Sequence, residues 1–312
     1  MPMSLGFVFP GQGSQAVGML ADLAAEYPQI QSHFDEAGDA IGQPLWQIVS
    51  SGPDEALVRT EITQPAILTA SVALWSVWRD LGGERPACLA GHSLGEYSAL
   101  VCAGALSFAD AVRLVNRRGQ LMQAAVPQGE GAMAAILGLE DDQVEAVCAE
   151  VDGVVSAANY NAPGQVVIAG SAASVAAAAE RCKEAGARRA ALLPVSGPFH
   201  CALMKPAQQA FAADLDAVRL VAPEIPVVQN VDAAVAADLD ELRRKLLEQI
   251  SQPVQWTACV QTMVERGVDR LIECGPGRVL SGLVKRIDKS VATAALGSLD
   301  GLNAALGRGS TT

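Results

Sequence analysis

The segment Gly91-His92-Ser93-Leu94-Gly95 constrains the fold of this chain more than any other. It fits the pattern Gly-x-Ser-x-Gly and follows an apolar stretch, Ala87-Cys88-Leu89-Ala90, that reads as a strand. The run behind it, Glu96 to Ala103, reads as a helix. A strand turning at once into a helix with serine at the corner is a nucleophile elbow, which strains the serine backbone and exposes its hydroxyl. The flanking glycines permit the corner because a Cβ on either side would crowd it. The N–H groups at the start of the helix also point toward the serine.

The rest of the chain supplies the elements such an elbow needs. Ser4 to Phe9 reads as a buried strand leading into Pro10-Gly11-Gln12-Gly13-Ser14-Gln15, Gln64 to Leu81 as a long apolar helix, and Ser107 to Ala125 as an amphipathic one. Strands alternating with helices across glycine turns predict an α/β fold with a mainly parallel sheet covered by helices. The stretch from Gly129 to Ser196 has its own rhythm. Strands are expected at Ala132–Leu137, Val154–Asn159, Gln165–Ala169 and Arg189–Pro194, with helices at Asp141–Glu150 and Ala172–Ala185. That βαββαβ order is ferredoxin-like. The expected organisation is therefore a large domain of residues 1–128 and 197–312 with a small subdomain, 129–196, inserted in it. Beyond the insert, helices are expected at Ala202–Val218, Leu239–Ile250 and Trp256–Arg266, and strands at Val227-Val228 and Arg270–Glu273. The tail, Gly307 to Thr312, is expected to be disordered.

Composition excludes several classes. With 22 basic and 34 acidic residues the net charge is −12, which disfavours nucleic acid and anionic membrane as partners. No apolar run reaches the length of a membrane span, and no Lys or Arg precedes Arg59, so the basic region of a signal peptide is missing. A cytoplasmic location is expected. The seven cysteines form no C-x-x-C pair, which argues against a disulfide framework or a structural zinc site. No metal ligand set and no cofactor are expected.

A serine hydroxyl needs a base within hydrogen-bonding reach, and only three histidines exist. His92 adjoins Ser93, where the turn sends neighbouring side chains apart. His33 lies on a polar helical surface, Gln31 to Glu36. His200 ends Val195-Ser196-Gly197-Pro198-Phe199-His200, a loop rejoining the large domain where a cleft is expected. Elimination selects His200 as the base. A group must orient its other nitrogen. Asp232, Asp238 and Asp240 all follow it without a telling context, and a backbone or amide carbonyl would serve as well. Two backbone N–H groups are expected to form an oxyanion hole: that of Leu94, after the nucleophile, and that of Gln12 in the first glycine loop. The same loop fits a dinucleotide fingerprint only weakly, because Pro10 interrupts it.

On the helical wheel of Ser107 to Ala125, Arg118 falls on the apolar face with Ala111, Leu114, Val115, Met122 and Ala125. A guanidinium there loses hydration and needs an anionic partner or several carbonyls. Either a carboxylate elsewhere in the fold supplies it, or a substrate carboxylate does.

With these residues assembled, the chain resembles the malonyl-CoA:acyl carrier protein transacylases of bacterial fatty-acid synthesis. The matching segments are Phe9 to Gln15, Gly91 to Tyr97, Arg118-Gly119, Asn161 to Gln165, Gly197 to His200 and Pro253 to Trp256, in family order over nearly the whole chain. The resemblance implies an α/β-hydrolase-like domain with a ferredoxin-like insert. It implies Ser93 as the acylated nucleophile, His200 as the base, and Gln12 and Leu94 as oxyanion donors. It also implies that the backbone carbonyl of Gln249 orients the histidine and that Arg118 clamps the free carboxylate of malonate. Met122, Phe199, Asn161 and His92 are implied at the substrate, with Phe199 fitting the malonyl-selective pattern. Cys201 stands where relatives often have serine. The implied partners are malonyl-CoA and acyl carrier protein, acidic in this family, met by a monomer. For the carrier's dock the expected patch is Arg278, Lys285 and Lys289 along one side of the helix after Gly277, with Arg286 nearby. The competing readings are a thioesterase using the same pair with water as acceptor, and a binding protein without catalysis.

Overall fold

The computed structural model describes residues 4–308, so most of the tail, 309–312, lies outside the described residues. Among the described residues nine strands form two sheets: β1 (Ser4–Phe9), β2 (Cys88–Gly91), β3 (Gly131–Leu137), β4 (Val155–Ala162), β5 (Gln165–Ser171), β6 (Arg189–Leu192), β7 (Val227–Val228), β8 (Val268–Glu273) and β9 (Ala292–Ala295). The first sheet runs β7-β2-β1-β8-β9 with every pair parallel. The second runs β4-β5-β3-β6 with every pair antiparallel. The fold is mixed α/β, with a parallel sheet and a separate antiparallel one.

The parallel sheet sets the site. The register pairs Phe9 with Gly91, so the chain leaves β1 and β2 at the same edge and the Gln12 loop comes to lie beside the elbow. Outside the carboxyl ends of parallel strands is where α/β sheets open a crevice. The backbones there are in close contact: a Cβ on Gly11 would sit 2.7 Å from the His92 carbonyl oxygen, and one on Gly95 would run into the carbonyl of Phe9.

Two helices bring the remaining polar groups in from the other side. Helix Thr60–Asp80 is buried along nearly its whole length and packs across helix Phe108–Ala124. Gly119 lets them approach, since a Cβ there would lie 2.7 Å from the Glu61 Cα. Pro65, inside the first helix, has no N–H to give the carbonyl of Glu61. The side chain of Asn116 donates to that carbonyl instead, at 2.7 Å. Backbone irregularity in one helix thus becomes a fastening point for the other.

In the antiparallel sheet the side chains alternate between two faces, except where β4 shifts register at Ala157/Asn159 and Tyr160/Ala162. Ala134, Ile136, Val166 and Ile168 pack beneath helices Asp141–Ala149 and Ala172–Glu184, together with Val144, Cys148, Val175 and Cys182. Met133 and Val167, one residue out of phase, face the cleft below the elbow. Val254 ties the sheet to the rest of the fold, donating to Ala158 O and accepting from Tyr160 N, each at 2.9 Å.

Several boundaries differ from expectation. The long helix begins at Thr60, four residues early, and the helix expected from Ala202 starts as one 3-10 turn before the α-helix Lys205–Asp216. Strand β9 was not expected. Its alanine-rich sequence has little strand preference, and it is held as an edge by pairing with β8.

Candidate active site

Ser93 sits at the corner between β2 and helix Gly95–Cys102 with φ +52°, a left-handed conformation that a side chain adopts only under constraint. Two hydrogen bonds from Asn230 supply the constraint. Its Oδ1 accepts from Ser93 N at 2.7 Å, and its Nδ2 donates to Gly91 O at 2.7 Å. One carboxamide therefore straps both sides of the turn.

His200, at φ +60°, is also strained and is 3% exposed. Its Nδ1 lies 2.7 Å from the carbonyl oxygen of Gln249, which can only accept, so Nδ1 carries the proton. Nε2 is left with its lone pair, 2.7 Å from Ser93 Oγ. Gln249 caps the C-terminus of helix Leu239–Glu248, where carbonyls lack intrahelical partners, and this frees its oxygen for the imidazole. Burial, and after it the positive charge of Arg118, pull His200 down to about 3. The imidazole is therefore neutral at physiological pH.

Arg118 is 1% exposed. Its Nη1 donates to Gln64 Oε1 at 2.8 Å and its Nη2 to Gln249 Oε1 at 2.9 Å and Ser93 Oγ at 3.3 Å. The guanidinium stands 5.6 Å from the ring centre of Tyr97. Its Nε has no partner, and among the described residues no ion pair involves it. Of the two sequence readings of Arg118, a structural pair with a neighbouring carboxylate is thus not what the fold provides.

The site opens into a cleft of about 380 Å³ lined by Gln12, His92, Ser93, Asn161, Phe199 and His200 on one side and by Met133 and Val167 of the antiparallel sheet on the other. His92 Nε2 pairs with Asn161 Oδ1 at 2.8 Å, away from the serine hydroxyl. Among the described residues the backbone N–H groups of Gln12 and Leu94 donate to no protein acceptor. Met122 does not line the cleft. It is buried behind Gln64, whose Nε2 lies 3.9 Å from its sulfur. His33, as expected, is remote, bonded to Gln29 O at 2.8 Å.

The basic patch needs correction. The helix after Gly277 runs only Val279–Ile287, because Asp288 caps it, so Lys285 and Arg286 lie on it while Arg278 is its N-cap and Lys289 lies beyond its end. All four are exposed, but they do not form one helical face. Arg286 donates to Gln165 Oε1 at 2.8 Å. A smaller cleft of about 170 Å³, lined by Val279, Leu280, Leu283, Gln12 and His92, separates this helix from the elbow.

Three residues of the site escaped the sequence reading: Asn230, Gln64 and Glu96. Glu96 carried a signal, as a charged residue in an otherwise uncharged apolar helix, but the two amides carried none.

A strained serine bonded to a neutral histidine, beside backbone N–H groups without a protein acceptor, is an arrangement suited to nucleophilic chemistry. Residues 6–301 match the family model described as an acyl transferase domain, and the chain is an acyltransferase. The malonyl CoA-acyl carrier protein transacylase of Escherichia coli (strain K12) is 55% identical over 302 residues, 96% of this chain and 98% of that one. That of Bacillus subtilis (strain 168) is 45% identical over 295 residues, 94% and 93%. The chain belongs to the malonyl-CoA:acyl carrier protein transacylase family. Its fold matches the Acinetobacter baumannii FabD crystal structure with a TM-score of 0.95, at 54% identity over 98% of each chain. It also matches a structure of a type II PKS acyl-carrier protein in complex with its malonyl-transacylase. That TM-score is 0.96, at 50% identity over 97% of this chain and 99% of that one. Among the described residues no helix is long and apolar enough to cross a membrane.

Proposed function

We propose that the chain moves a malonyl group from malonyl-CoA to the phosphopantetheine thiol of acyl carrier protein, for fatty-acid synthesis, through a malonyl ester on Ser93. The single observation that carries this reading is Arg118: a buried guanidinium without a carboxylate partner, 3.3 Å from the nucleophile. A substrate whose acyl group ends in a carboxylate supplies the missing anion, held bidentately in the arginine fork.

In the first half-reaction His200 Nε2 takes the proton of Ser93 Oγ as the oxygen attacks the thioester carbonyl. The N–H groups of Gln12 and Leu94 receive the oxyanion, each worth about 3 kcal/mol of transition-state stabilisation. The C–S bond breaks and the proton returns from His200 to the CoA sulfur. In the second half the carrier's thiol gives its proton to His200 and attacks the ester carbonyl, the bond from that carbon to Ser93 Oγ breaks, and His200 returns the proton to Oγ. Substrate binding helps the base. Arg118 lowers the basicity of His200, so a malonate carboxylate that neutralises the guanidinium raises it.

Phe199, Asn161 and His92 line the substrate cleft in this reading, and Met122 supports it from behind Gln64. The βαββαβ order of residues 129–196 supports a ferredoxin-like subdomain inserted in an α/β-hydrolase-like domain of 1–128 and 197–312. We place the carrier on Arg278, Lys285, Arg286 and Lys289 as a local basic patch on a monomer, beside the smaller cleft leading to His92. The complex solved for the related malonyl-transacylase and its acyl-carrier protein supports a carrier as acceptor. The test is acceptor-dependent turnover. CoA release that continues only when carrier thiol is added supports transfer, whereas equal release in its absence means that water is the acceptor.

A further inference from the structure

Glu96 lies one turn beyond the elbow, fully buried, and among the described residues it forms no ion pair. A buried carboxylate without an adjacent cation is costly and persists only where hydrogen bonds or function hold it. One oxygen, Oε2, does all the bonding: it accepts from Asn230 N at 2.8 Å and from Gln249 Nε2 at 3.1 Å. Oε1 has no partner.

These two contacts reach every reacting group. Asn230 is the strap that holds Ser93 at positive φ. Gln249 gives its backbone carbonyl to His200 and its Oε1 to Arg118. The carboxamide of Gln249 could in principle face either way, and its partners decide. Its Nε2 meets three acceptor oxygens, Ser93 O at 2.9 Å, Glu96 Oε2 at 3.1 Å and Asn230 Oδ1 at 3.4 Å, while its Oε1 meets a guanidinium that only donates. The reversed amide would set oxygen against oxygen and N–H against N–H. With these acceptors in place a single orientation satisfies every atom of the Gln249 amide.

We propose that Glu96 is a positioning residue for the transfer reaction: its Oε2 fixes the Gln249 amide, and through it the Arg118 clamp, while anchoring the Asn230 strap beneath Ser93. The inference rests on the functional reading above. Glu96 touches no substrate. It acts on selectivity for a carboxylate-bearing acyl group through Gln249, and on the rate through Asn230.

The test compares Glu96→Asp and Glu96→Gln, both checked for fold by circular dichroism and melting temperature, in single-turnover loading from malonyl-CoA and acetyl-CoA. Aspartate keeps the charge but withdraws the oxygen by one methylene, a displacement of the kind that costs about 100-fold in rate. Glutamine keeps an acceptor oxygen at the same reach. Malonyl loading of Glu96→Asp should fall about 100-fold, and its malonyl-over-acetyl preference about tenfold. Glu96→Gln should keep its preference within about threefold of wild type. A merely structural lesion lowers both acyl groups alike. Equal loss for the two donors, wild-type behaviour of Glu96→Asp, or a Glu96→Gln as impaired as the aspartate would each overturn the proposal. Wild-type protein that takes up neither acyl group contradicts the transfer reading itself, and the role of Glu96 then falls with it. A failure of Glu96 alone leaves wild-type loading intact.

Discussion

Arg118 Nη2 lies 3.3 Å from Ser93 Oγ, so a buried cation without a carboxylate partner touches the proposed nucleophile. Ser93 Oγ accepts from the guanidinium and is therefore oriented to donate to His200 Nε2, 2.7 Å away. The bond aligns the serine proton with the base.

Strain at the elbow separates stability from catalysis. Ser93→Ala and Ser93→Gly both lose the hydroxyl and differ only by a Cβ held at φ +52°. The glycine variant should be the more stable by about 1 kcal/mol in chemical denaturation, with neither forming an acyl-enzyme. An alanine variant as stable as the glycine one would mean that the corner is not strained.

Asn230→Ala removes the strap and leaves Ser93 N–H and Gly91 C=O without their partners. The expected stability loss is about 2–4 kcal/mol, with malonyl loading reduced by at least about 100-fold because the nucleophile is misplaced. Near-normal loading would show that the turn holds without it.

The depressed basicity of His200 has a stability consequence. Its folded value of about 3 lies below the ordinary 6.5, so between these limits the unfolded chain binds the proton that the folded chain refuses. Stability rises with pH across that window and is lost as pH falls from 6.5 toward 3, at no more than about 1.4 kcal/mol per pH unit. The stability difference between wild type and His200→Ala should therefore grow in favour of wild type from pH 4 to 6.5. A flat difference would mean that the ring is solvated.

Reversal of the exposed basic pair, Lys285→Glu with Arg286→Glu, should slow transfer to carrier protein about tenfold or more at low ionic strength and leave loading from malonyl-CoA unchanged. The defect should shrink with salt. Equal loss in both half-reactions would remove the patch as a dock.

What was legible in the sequence was whatever leaves a local mark. Gly91 and Gly95 mark the elbow because the corner tolerates no Cβ, and Arg118 shows itself as a charge on an apolar face. His200 was reachable by elimination. The four strands of the antiparallel sheet declared themselves through their βαββαβ order with two helices. Asn230 and Gln64 left no mark, since an uncharged amide far from Ser93 and Arg118 in sequence gains its meaning only when tertiary packing makes the contact. Gln249 is a similar case. Its useful atom is a backbone carbonyl freed by a helix end, which no side-chain pattern encodes, so only the family resemblance pointed to it. The basic helix is shorter than the expected patch requires, running only Val279–Ile287. Asp288 stops it before Lys289.

The most direct test of the central claim is the intact mass of the protein after incubation with malonyl-CoA alone, with Ser93→Ala and Arg118→Ala in parallel. The expected result is one malonyl adduct on wild type, none on Ser93→Ala and much less on Arg118→Ala. Folded wild-type protein that leaves malonyl-CoA intact and gains no mass would contradict the claim, as would an adduct that persists in Ser93→Ala.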